Sequence, residues 1–435
     1  MVFLPRFYYT LVTAILLALG STWAPYGMSM SLLLTLLLTC AVLADVVLLP
    51  RDVLRVQRKV APVLRQMQPF TVELTLFNPS DALAALEIID SPPSAFTGSS
   101  TLVPLRLPAK QESVQTYTLK SFQRGHFAFG AVYYRITGPL GLIQRHGKIE
   151  IPQNVQVLPD VSGEGSRDLQ LALAGALQAG RRKAPLRGEG REFESLREHQ
   201  RDDDFRHIDW KASAKRGKLI SRQYETERDQ RLMILIDTGR LMSPRIGDCR
   251  KLDYAINAAV HLAQVALHKG DLVGYAVFND GLRAFAEPKK GQAQMSHFVR
   301  SLTPLQPTRL ESDYATVFHH VLRRCSRRTL IVCFTDLGDT QSAHRLLEAA
   351  LPLMPRHLPV IVTVSNSEVL AVTRKIPENE FEVYRHVAAS EIWSDYQRTL
   401  LGLRSRGVAT VSVPAQELST AAINEYLRIK ESARL

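Results

Sequence analysis

The stretch RLMILIDTGRL, residues 231–241, decides how the C-terminal half of the chain folds. Its first residue is basic, the next five are apolar, and the run closes on Asp237. An unbroken apolar run of this kind is typical of a parallel strand that is covered on both faces of its sheet. A second such run lies at residues 329–335 and closes on Asp336. Further strands and amphipathic helical stretches alternate with these two, so the sequence predicts a doubly wound α/β domain over residues 231–435.

Directly upstream, residues 187–228 alternate acids and bases, with single aromatic residues between them. This stretch is too charged for a core helix and too aromatic for a disordered tail. We expect an ion-paired loop and a short helix laid over a domain, with Phe193 and Trp210 as apolar pins. The alternative interpretation is a divalent-metal site that supports hydrolysis. Its ligands and bases would come from His199, Asp202, Asp203, Asp204, His207 and Asp209.

Within this segment the chain resembles a known family. Three patterns carry the resemblance: E-F-x-x-L-R-E from residue 192, D-D-x-R-x-I-D-W-K-A-x-A from residue 203, and R-x-Y-E-x-E from residue 222. They are similar to the signature of the domain-of-unknown-function 58 family, whose bacterial and archaeal members are often encoded beside MoxR-type AAA+ ATPases. The resemblance implies an interaction role for the signature side chains. These are Phe193, Arg197, Glu198, Asp203, Asp204, Arg206, Asp209, Trp210, Lys211, Tyr224 and Glu225.

The same resemblance implies a C-terminal domain similar to a von Willebrand factor A domain. Such a domain carries a metal-ion-dependent adhesion site, in which an Asp-x-Ser-x-Ser loop, a threonine and a second aspartate hold Mg²⁺. Here the loop after Asp237 lacks both serines and contains Gly239 and Arg240. Ser312 would supply a hydroxyl and Asp336 the second carboxylate, so Mg²⁺ at a degenerate site is the one cofactor implied. In the other interpretation, the two aspartates cap helix starts or pair with Arg240.

The middle of the chain has a strand-like pattern. Short alternating apolar segments, separated by Gly and Pro turns, predict a β-sandwich-like domain over residues 60–160. Residues 138–142, Gly-Pro-Leu-Gly-Leu, resemble the Asp-Pro-Leu-Gly-Leu motif of the same family, with Gly138 in place of the aspartate. A glycine-containing linker is predicted over residues 161–186, and the charged segment follows over residues 187–230.

The N-terminal residues 1–59 are predicted to anchor the chain in a membrane. No charged residue occurs between 7 and 24, and Asp45 is the only one between 28 and 49. At about 1.5 Å rise per residue, the two spans are roughly 27 and 33 Å long, close to the hydrocarbon thickness of a bilayer. Arg6 precedes the first span and a basic cluster follows the second, which places both ends in the cytoplasm. The sequence thus predicts a transmembrane helical hairpin, multi-pass, in the inner (cytoplasmic) membrane.

Asp45 leaves two interpretations open. It is either an intramembrane functional group or a residue of the inner interface near Arg51. The apolar runs also have two competing explanations, a cleaved signal peptide and a buried hairpin of a soluble domain. Both are disfavoured, because no small-residue cleavage site follows the first run and the second run has no polar face.

The composition and motifs of the chain limit the classes of function that it can have. The chain has 435 residues, a formal net charge of +12 and four cysteines without a disulfide-like arrangement, which fits a reducing compartment. The sequence contains no phosphate-binding loop, no recognisable nucleophile–base pair and no nucleic-acid-binding motif. We therefore predict a membrane-anchored interaction or assembly factor rather than an enzyme, with a MoxR-type AAA+ ATPase and other proteins as partners. The metal-dependent hydrolase is the alternative, and binding to nucleic acid is not expected.

Overall fold

The computed structural model describes residues 2–20, 26–49, 54–81, 83–98, 103–160, 170–171, 174–175, 192–200, 205, 208–225, 230–338, 340–365 and 367–432. The chain divides into two compact units, Met1–Leu158 and Pro159–Leu435. The predicted linker at residues 161–186 lies almost wholly outside the described residues.

The first unit begins with a short strand and two apolar helices, β1 (Val2–Phe3), α1 (Pro5–Gly20) and α2 (Gly27–Leu48). Within α2, the 21 residues Met28–Leu48 are long and apolar enough to cross a membrane. The apolar part of α1, Pro5–Leu19, is shorter than that. The two helices pack together, and Ser31 Oγ donates a 3.1 Å hydrogen bond to the carbonyl of Ala14. Of the two membrane spans that the sequence predicts, one is therefore confirmed by its length and composition, the helix α2.

The rest of the first unit is β-sheet, as predicted. Its strands are β2 (Arg55–Lys59), β3 (Val63–Arg65), β4 (Pro69–Phe77), β5 (Ala84–Asp90), β6 (Phe96–Gly98), β7 (Val103–Leu107), β8 (Glu112–Ser121), β9 (Gly125–Thr137) and β10 (Ile143–Leu158). One sheet has the order β1-β10-β9-β5-β7, with β3 paired to β10, and the other has the order β2-β4-β8-β6. Leu76 of β4 and Val132 of β9 belong to one buried cluster, so the two sheets share a core. The β-structure starts at Arg55, upstream of the predicted boundary at residue 60.

The charged segment forms a small ribbon with a short helix. β11 (Glu192–Glu198) pairs antiparallel with β12 (Ile220–Glu225), and α3 (Trp210–Arg216) lies between them in the sequence. The helix ends at Gly217, whose φ of 66° is the left-handed conformation that glycine adopts readily at a helix end.

The remainder of the second unit alternates strands and helices. They are β13 (Arg231–Asp237), β14 (Arg245–Ile246), β15 (Cys249–Arg250), α4 (Lys251–His268), β16 (Leu272–Phe278), β17 (Leu282–Lys289), α5 (Gln292–Leu302), α6 (Tyr314–Arg324), β18 (Leu330–Phe334), α7 (Thr340–Ala350), β19 (Leu358–Val364), α8 (Ser367–Arg374), α9 (Glu380–Ser405), β20 (Ala409–Val413) and α10 (Leu418–Glu431). The large sheet has the order β17-β16-β13-β18-β19-β20, with β17 antiparallel to β16 and the other pairs parallel. The order therefore reverses between β13 and β18.

Helices cover both faces of this sheet. Ile234 and its alternate neighbours on β13 pack with α4, α5 and α10, whereas Met233 and Leu235 pack with α6, α7 and α9. Because successive side chains of a strand point to opposite faces, a strand covered on both sides needs apolar residues at every position. This is the physical reason for the unbroken apolar run that precedes Asp237.

Candidate functional site

The carboxyl edge of the large sheet holds the two aspartates singled out in the sequence. Asp237 is the last residue of β13, and Asp336 follows closely after Phe334, the last residue of the adjacent β18. The strand order reverses between these two strands, and doubly wound sheets bind their ligands at such a reversal. The two apolar runs therefore deliver both carboxylates to one edge of the sheet.

Asp237 is fully buried and accepts four hydrogen bonds. Its Oδ1 accepts from the backbone N–H of Gly239 at 2.7 Å and from the hydroxyl of Ser312. Its Oδ2 accepts from Thr335 Oγ1 at 2.6 Å and from the hydroxyl of Tyr314 at 3.2 Å. A carboxylate offers about four acceptor positions, so the chain's own donors fill them. These bonds offset the cost of burying a charge.

Burial also changes the acid–base chemistry of this cluster. It raises the pKa of Asp237, while the four donors oppose the rise. Burial and the nearby Asp237 carboxylate raise the pKa of Tyr314 well above its ordinary value. Burial likewise raises the pKa of Cys333 well above its ordinary value. Tyr314 is therefore a neutral donor and Cys333 a neutral thiol near pH 7, and a thiol without thiolate character is a poor nucleophile.

Gly239 leaves room for the hydroxyl of Ser312. A Cβ at position 239 would lie 2.1 Å from Ser312 Oγ and 3.1 Å from the carbonyl oxygen of Leu310. Ser312 thus occupies the space that the first serine of an Asp-x-Ser-x-Ser loop would need. The same chemical group reaches Asp237 from a loop far away in the sequence.

Asp336 is paired with Lys251, a residue that sequence reasoning missed. Lys251 Nζ lies 2.7 Å from Asp336 Oδ2, and the two side chains are 9% and 5% exposed. Asp336 Oδ1 also accepts a 3.3 Å hydrogen bond from Thr363. Lys251 is the first residue of α4, where the positive end of the helix dipole disfavours a cation. Because a lysine is unfavourable at the start of a helix, its presence there could have indicated an acidic partner from another part of the chain.

The residues at this edge do not fit a Mg²⁺ ion. Magnesium requires several oxygen ligands in near-octahedral geometry, and the oxygens of Asp237 already accept hydrogen bonds from the chain. Asp336 faces the ammonium of Lys251, which neutralises it. In the described ranges, no group of three or more His, Cys, Asp or Glu side chains is placed to hold a metal. The neighbouring Arg240 pairs with Glu311 at 3.3 Å.

The two strands β11 and β12, which contain part of the family signature, form an antiparallel ribbon. Phe193 lies opposite Tyr224 in the register of β11 and β12, and Arg197 lies opposite Ser221. Glu225 lies opposite the first residue of β11. Glu198, at the end of β11, forms an exposed 2.9 Å ion pair with Lys218.

The short helix α3 is held by Asp209. Asp209 Oδ1 accepts a 2.9 Å hydrogen bond from the backbone N–H of Ala212, which caps the helix. Trp210 is 68% exposed, so in the described part of the chain it does not act as the expected apolar pin. Ile208 and Ile220, which are buried, take that place instead. Lys211 is exposed on the same helix.

The acidic cluster of the hydrolase alternative is not brought together among the described residues. Asp209 is engaged as a helix cap, and His199 Nδ1 lies 2.8 Å from Ser221 Oγ. The remaining signature and cluster residues lie outside the described residues. They are Asp202, Asp203, Asp204, Arg206 and His207.

An open groove adjoins the carboxyl edge of the sheet. Its volume is about 800 Å³, and it runs between α6 and α7 from the loop that contains Ser312. Phe318, Leu322 and Leu353 provide apolar lining, and Glu311 lies at the rim. Shape and apolar lining of this kind are usual for binding sites.

The part of the chain that contains this edge is similar to a known protein family. Residues 195–368 match the family described as "Protein of unknown function DUF58", which confirms the predicted resemblance. The chain is 26% identical over 132 residues to the uncharacterized protein YeaD of Bacillus subtilis, covering 29% of this chain and 32% of that protein. It is 23% identical over 151 residues to the uncharacterized protein Rv1480 of Mycobacterium tuberculosis, covering 34% of this chain and 48% of that protein. The chain thus matches less than half the length of each relative.

Solved structures align with only a small part of the chain. One chain from a human seminal-plasma complex of zinc 2-glycoprotein and prolactin inducible protein aligns with a TM-score of 0.21 and 8% identity. The alignment covers 24% of this chain and 93% of the chain from the complex. Salmonella alpha-2-macroglobulin reacted with methylamine aligns with a TM-score of 0.19 and 12% identity, covering 30% of this chain and 11% of that one.

Proposed function

We propose that the chain is a membrane-anchored interaction or assembly factor that works with a MoxR-type AAA+ ATPase. The match of residues 195–368 to the DUF58 family supports this proposal. In this proposal the second unit is a von Willebrand factor A-like docking module. The ATPase supplies nucleotide hydrolysis, since the sequence has no phosphate-binding loop of its own. The partnership serves the maturation or chaperoning of other proteins.

One observation carries the proposal. At the carboxyl edge, Asp237 is saturated by four donors and Asp336 is neutralised by Lys251. Catalysis needs a group with an unfilled chemical role, such as an activated nucleophile or a base within reach of one. Here the carboxylates of Asp237 and Asp336 instead bond to neighbouring loops and helices beside the groove. This arrangement favours recognition of a protein over chemistry.

The groove beside this edge is the proposed contact area. Apolar grooves lined by a few charged side chains are common in protein recognition, where the apolar centre provides most of the affinity. Glu311 at the rim pairs with Arg345 on one side and with Arg240 on the other. This pairing orders the rim before a partner arrives, which reduces the entropy cost of binding.

The N-terminal helices would hold the docking module at the inner face of the membrane. We propose that α1 and α2 cross the bilayer as a hairpin with both chain ends in the cytoplasm. In support, Arg6 at the start of α1 and Asp45 near the end of α2 both approach the loop at residues 138–142. The two helix ends therefore lie on one side of the first unit.

Protease accessibility would test this topology. Epitope tags at the two ends of the full chain should both resist protease added to intact spheroplasts and become sensitive after lysis. Cleavage of only one of the two tags in intact spheroplasts would contradict the hairpin. Cleavage of both tags would contradict the cytoplasmic orientation altogether.

Co-purification would test the partnership. The tagged full chain, extracted in a mild detergent and washed in the presence of ATP, should retain a AAA+ ATPase of the MoxR type, identified by mass spectrometry. A matched pair of variants sharpens the result. Ala315→Trp fills the groove from an exposed position on α6, whereas Ala388→Trp places the same side chain on an exposed position of α9. Loss of the ATPase with A315W alone is expected, and recovery of the chain without any AAA+ protein would count against the proposal.

A further inference from the structure

The loop between β9 and β10 turns three of its backbone N–H groups, those of Leu140, Leu142 and Ile143, toward one point. The carbonyl of Gly138 accepts a 2.9 Å hydrogen bond from the N–H of Gly141, and the Gly138 N–H donates to the carbonyl of Ile143 at 3.0 Å. Gly141 has a φ of 68°, a left-handed conformation that keeps the turn tight. Successive amides in such a turn form a concave nest that suits an anion.

A carboxylate from α2 fills this nest. Asp45 has no exposed surface. Its Oδ1 accepts a 2.8 Å hydrogen bond from the N–H of Leu140. Its Oδ2 accepts bonds of 3.0 and 3.1 Å from the N–H groups of Leu142 and Ile143. Hydrogen bonds to an ionised acceptor are roughly twice as strong as neutral ones, so three of them make a specific attachment.

Position 138 competes with Asp45 for the same space. A Cβ on Gly138 would lie 2.4 Å from Asp45 Cγ and 2.4 and 2.5 Å from its two oxygens. A side chain at 138 and the Asp45 carboxylate therefore exclude one another. The φ of Gly138 is not in the left-handed region, so the backbone itself would accept an aspartate there.

We infer that the loop at residues 138–143 is a carboxylate-binding nest, which this chain fills with Asp45 from the apolar helix α2 instead of with a side chain at position 138. The consequence is mechanical. Asp45 fastens the end of α2 to the β-sheet unit, where the start of α1 is already fixed. Phe3 of β1 pairs with Ile143, and the N–H of Leu4 donates a 2.9 Å hydrogen bond to the carbonyl of Leu142. The start of α1 and the end of α2 are therefore both attached to the same loop of the β-sheet unit.

Hydrogen exchange of the loop amides in the full chain, solubilised in detergent, tests this inference. In the wild type, the amides of Leu140, Leu142 and Ile143 should be protected. In the Asp45→Ala variant they should exchange at least about ten-fold faster, as expected when a charge-assisted hydrogen bond is lost. Protection in the strands β4 and β8 should stay unchanged, which shows that the variant is folded.

Two rescues distinguish a carboxylate nest from an ordinary packing contact. The double variant D45A/G138D should restore protection of the three amides, because the carboxylate then comes from the other position. Added formate should restore it in D45A in a concentration-dependent way, while chloride at the same ionic strength should not. Unchanged exchange in D45A would overturn the inference. So would faster exchange that neither G138D nor formate reverses.

Discussion

Lys251 and Asp336 form a buried ion pair at the carboxyl edge of the large sheet, with Nζ 2.7 Å from Oδ2. The pair joins the first residue of α4 to the end of β18, across 85 positions of sequence. It also places a cation of the protein itself beside the carboxylate of Asp336.

Removing one member of this pair should destabilise the second unit strongly. In Lys251→Met the carboxylate of Asp336 stays buried without its cation, which costs about 3–5 kcal/mol for a pair of this kind. The double variant K251M/D336N should recover part of the loss, because no unpaired charge remains. Chemical unfolding followed by tryptophan fluorescence measures this, since Trp393 packs against one of the two cores of this unit. The exposed pair of Lys218 with Glu198 is the control, and Lys218→Met should leave the unfolding midpoint unchanged.

The carboxyl edge should be insensitive to divalent cations. The donors on Asp237 and the ammonium beside Asp336 leave no pair of free carboxylates for Mg²⁺. Adding Mg²⁺ or EDTA to the full chain should therefore not move the thermal midpoint. Titration with Mn²⁺, followed by electron paramagnetic resonance, should give the same free-ion signal for the wild type and for Asp336→Asn. Stoichiometric loss of that signal, abolished by Asp336→Asn, would contradict this account of the edge.

Gly239 and Ser312 should behave as an exchangeable pair. Gly239→Ser forces a side chain into the space of the Ser312 hydroxyl, which should cost about 1–3 kcal/mol of stability through overpacking. The double variant G239S/S312A should regain most of that loss, because the hydroxyl now reaches Asp237 from position 239. Unfolding free energies of the four proteins in this cycle measure the coupling. Additive losses in the double variant would show that the two positions do not share one space.

His261 should make stability fall in mild acid. Burial lowers its pKa to about 4, while the charge of Asp160 opposes the shift. An unfolded histidine has a pKa near 6.5, so between these values the unfolded chain binds more protons than the folded one. The free energy of unfolding should therefore decrease by about 3 kcal/mol as pH falls from 6.5 to 4.

The variant His261→Gln isolates this contribution. It removes the titrating group from α4, where His261 Nδ1 lies 3.1 Å from Ser419 Oγ on α10. Unfolding free energies at several pH values should give a flatter dependence for the variant than for the wild type. Equal slopes would mean that the pKa of His261 is the same in the folded and the unfolded chain, which would contradict the prediction.

The strands of the large sheet can be predicted from the sequence, because each depends on a short apolar run. Each apolar run closes on a carboxylate, and Asp237 and Asp336 accordingly stand on neighbouring strands. The β-rich middle region was readable for the same reason, since alternation and turn residues are properties of short segments. The start of that region at Arg55 was not, because basic residues after an apolar helix also fit a membrane flank.

The partners of the charged groups were not readable, because they come from distant parts of the chain. Lys251 reaches Asp336, and Asp45 reaches a loop about a hundred residues away, with bonds that span 95 to 98 positions. The sequence predicts Ser312 as a source of a hydroxyl. It does not predict that residue 239 must be glycine to leave room for that hydroxyl. The sequence predicts that Trp210 is covered, yet Trp210 is exposed, whereas Ile208 and Ile220 are buried.

Binding of the purified MoxR-type AAA+ ATPase from the same organism to the full chain, reconstituted in lipid nanodiscs with ATP present, decides whether the proposed partnership exists. Biolayer interferometry should show saturable binding to the wild type and to A388W, and binding weakened at least about ten-fold by A315W, or about 1.4 kcal/mol. Absence of saturable binding to the wild type would contradict the proposed function. Equal binding by A315W and A388W would contradict the groove as the docking surface.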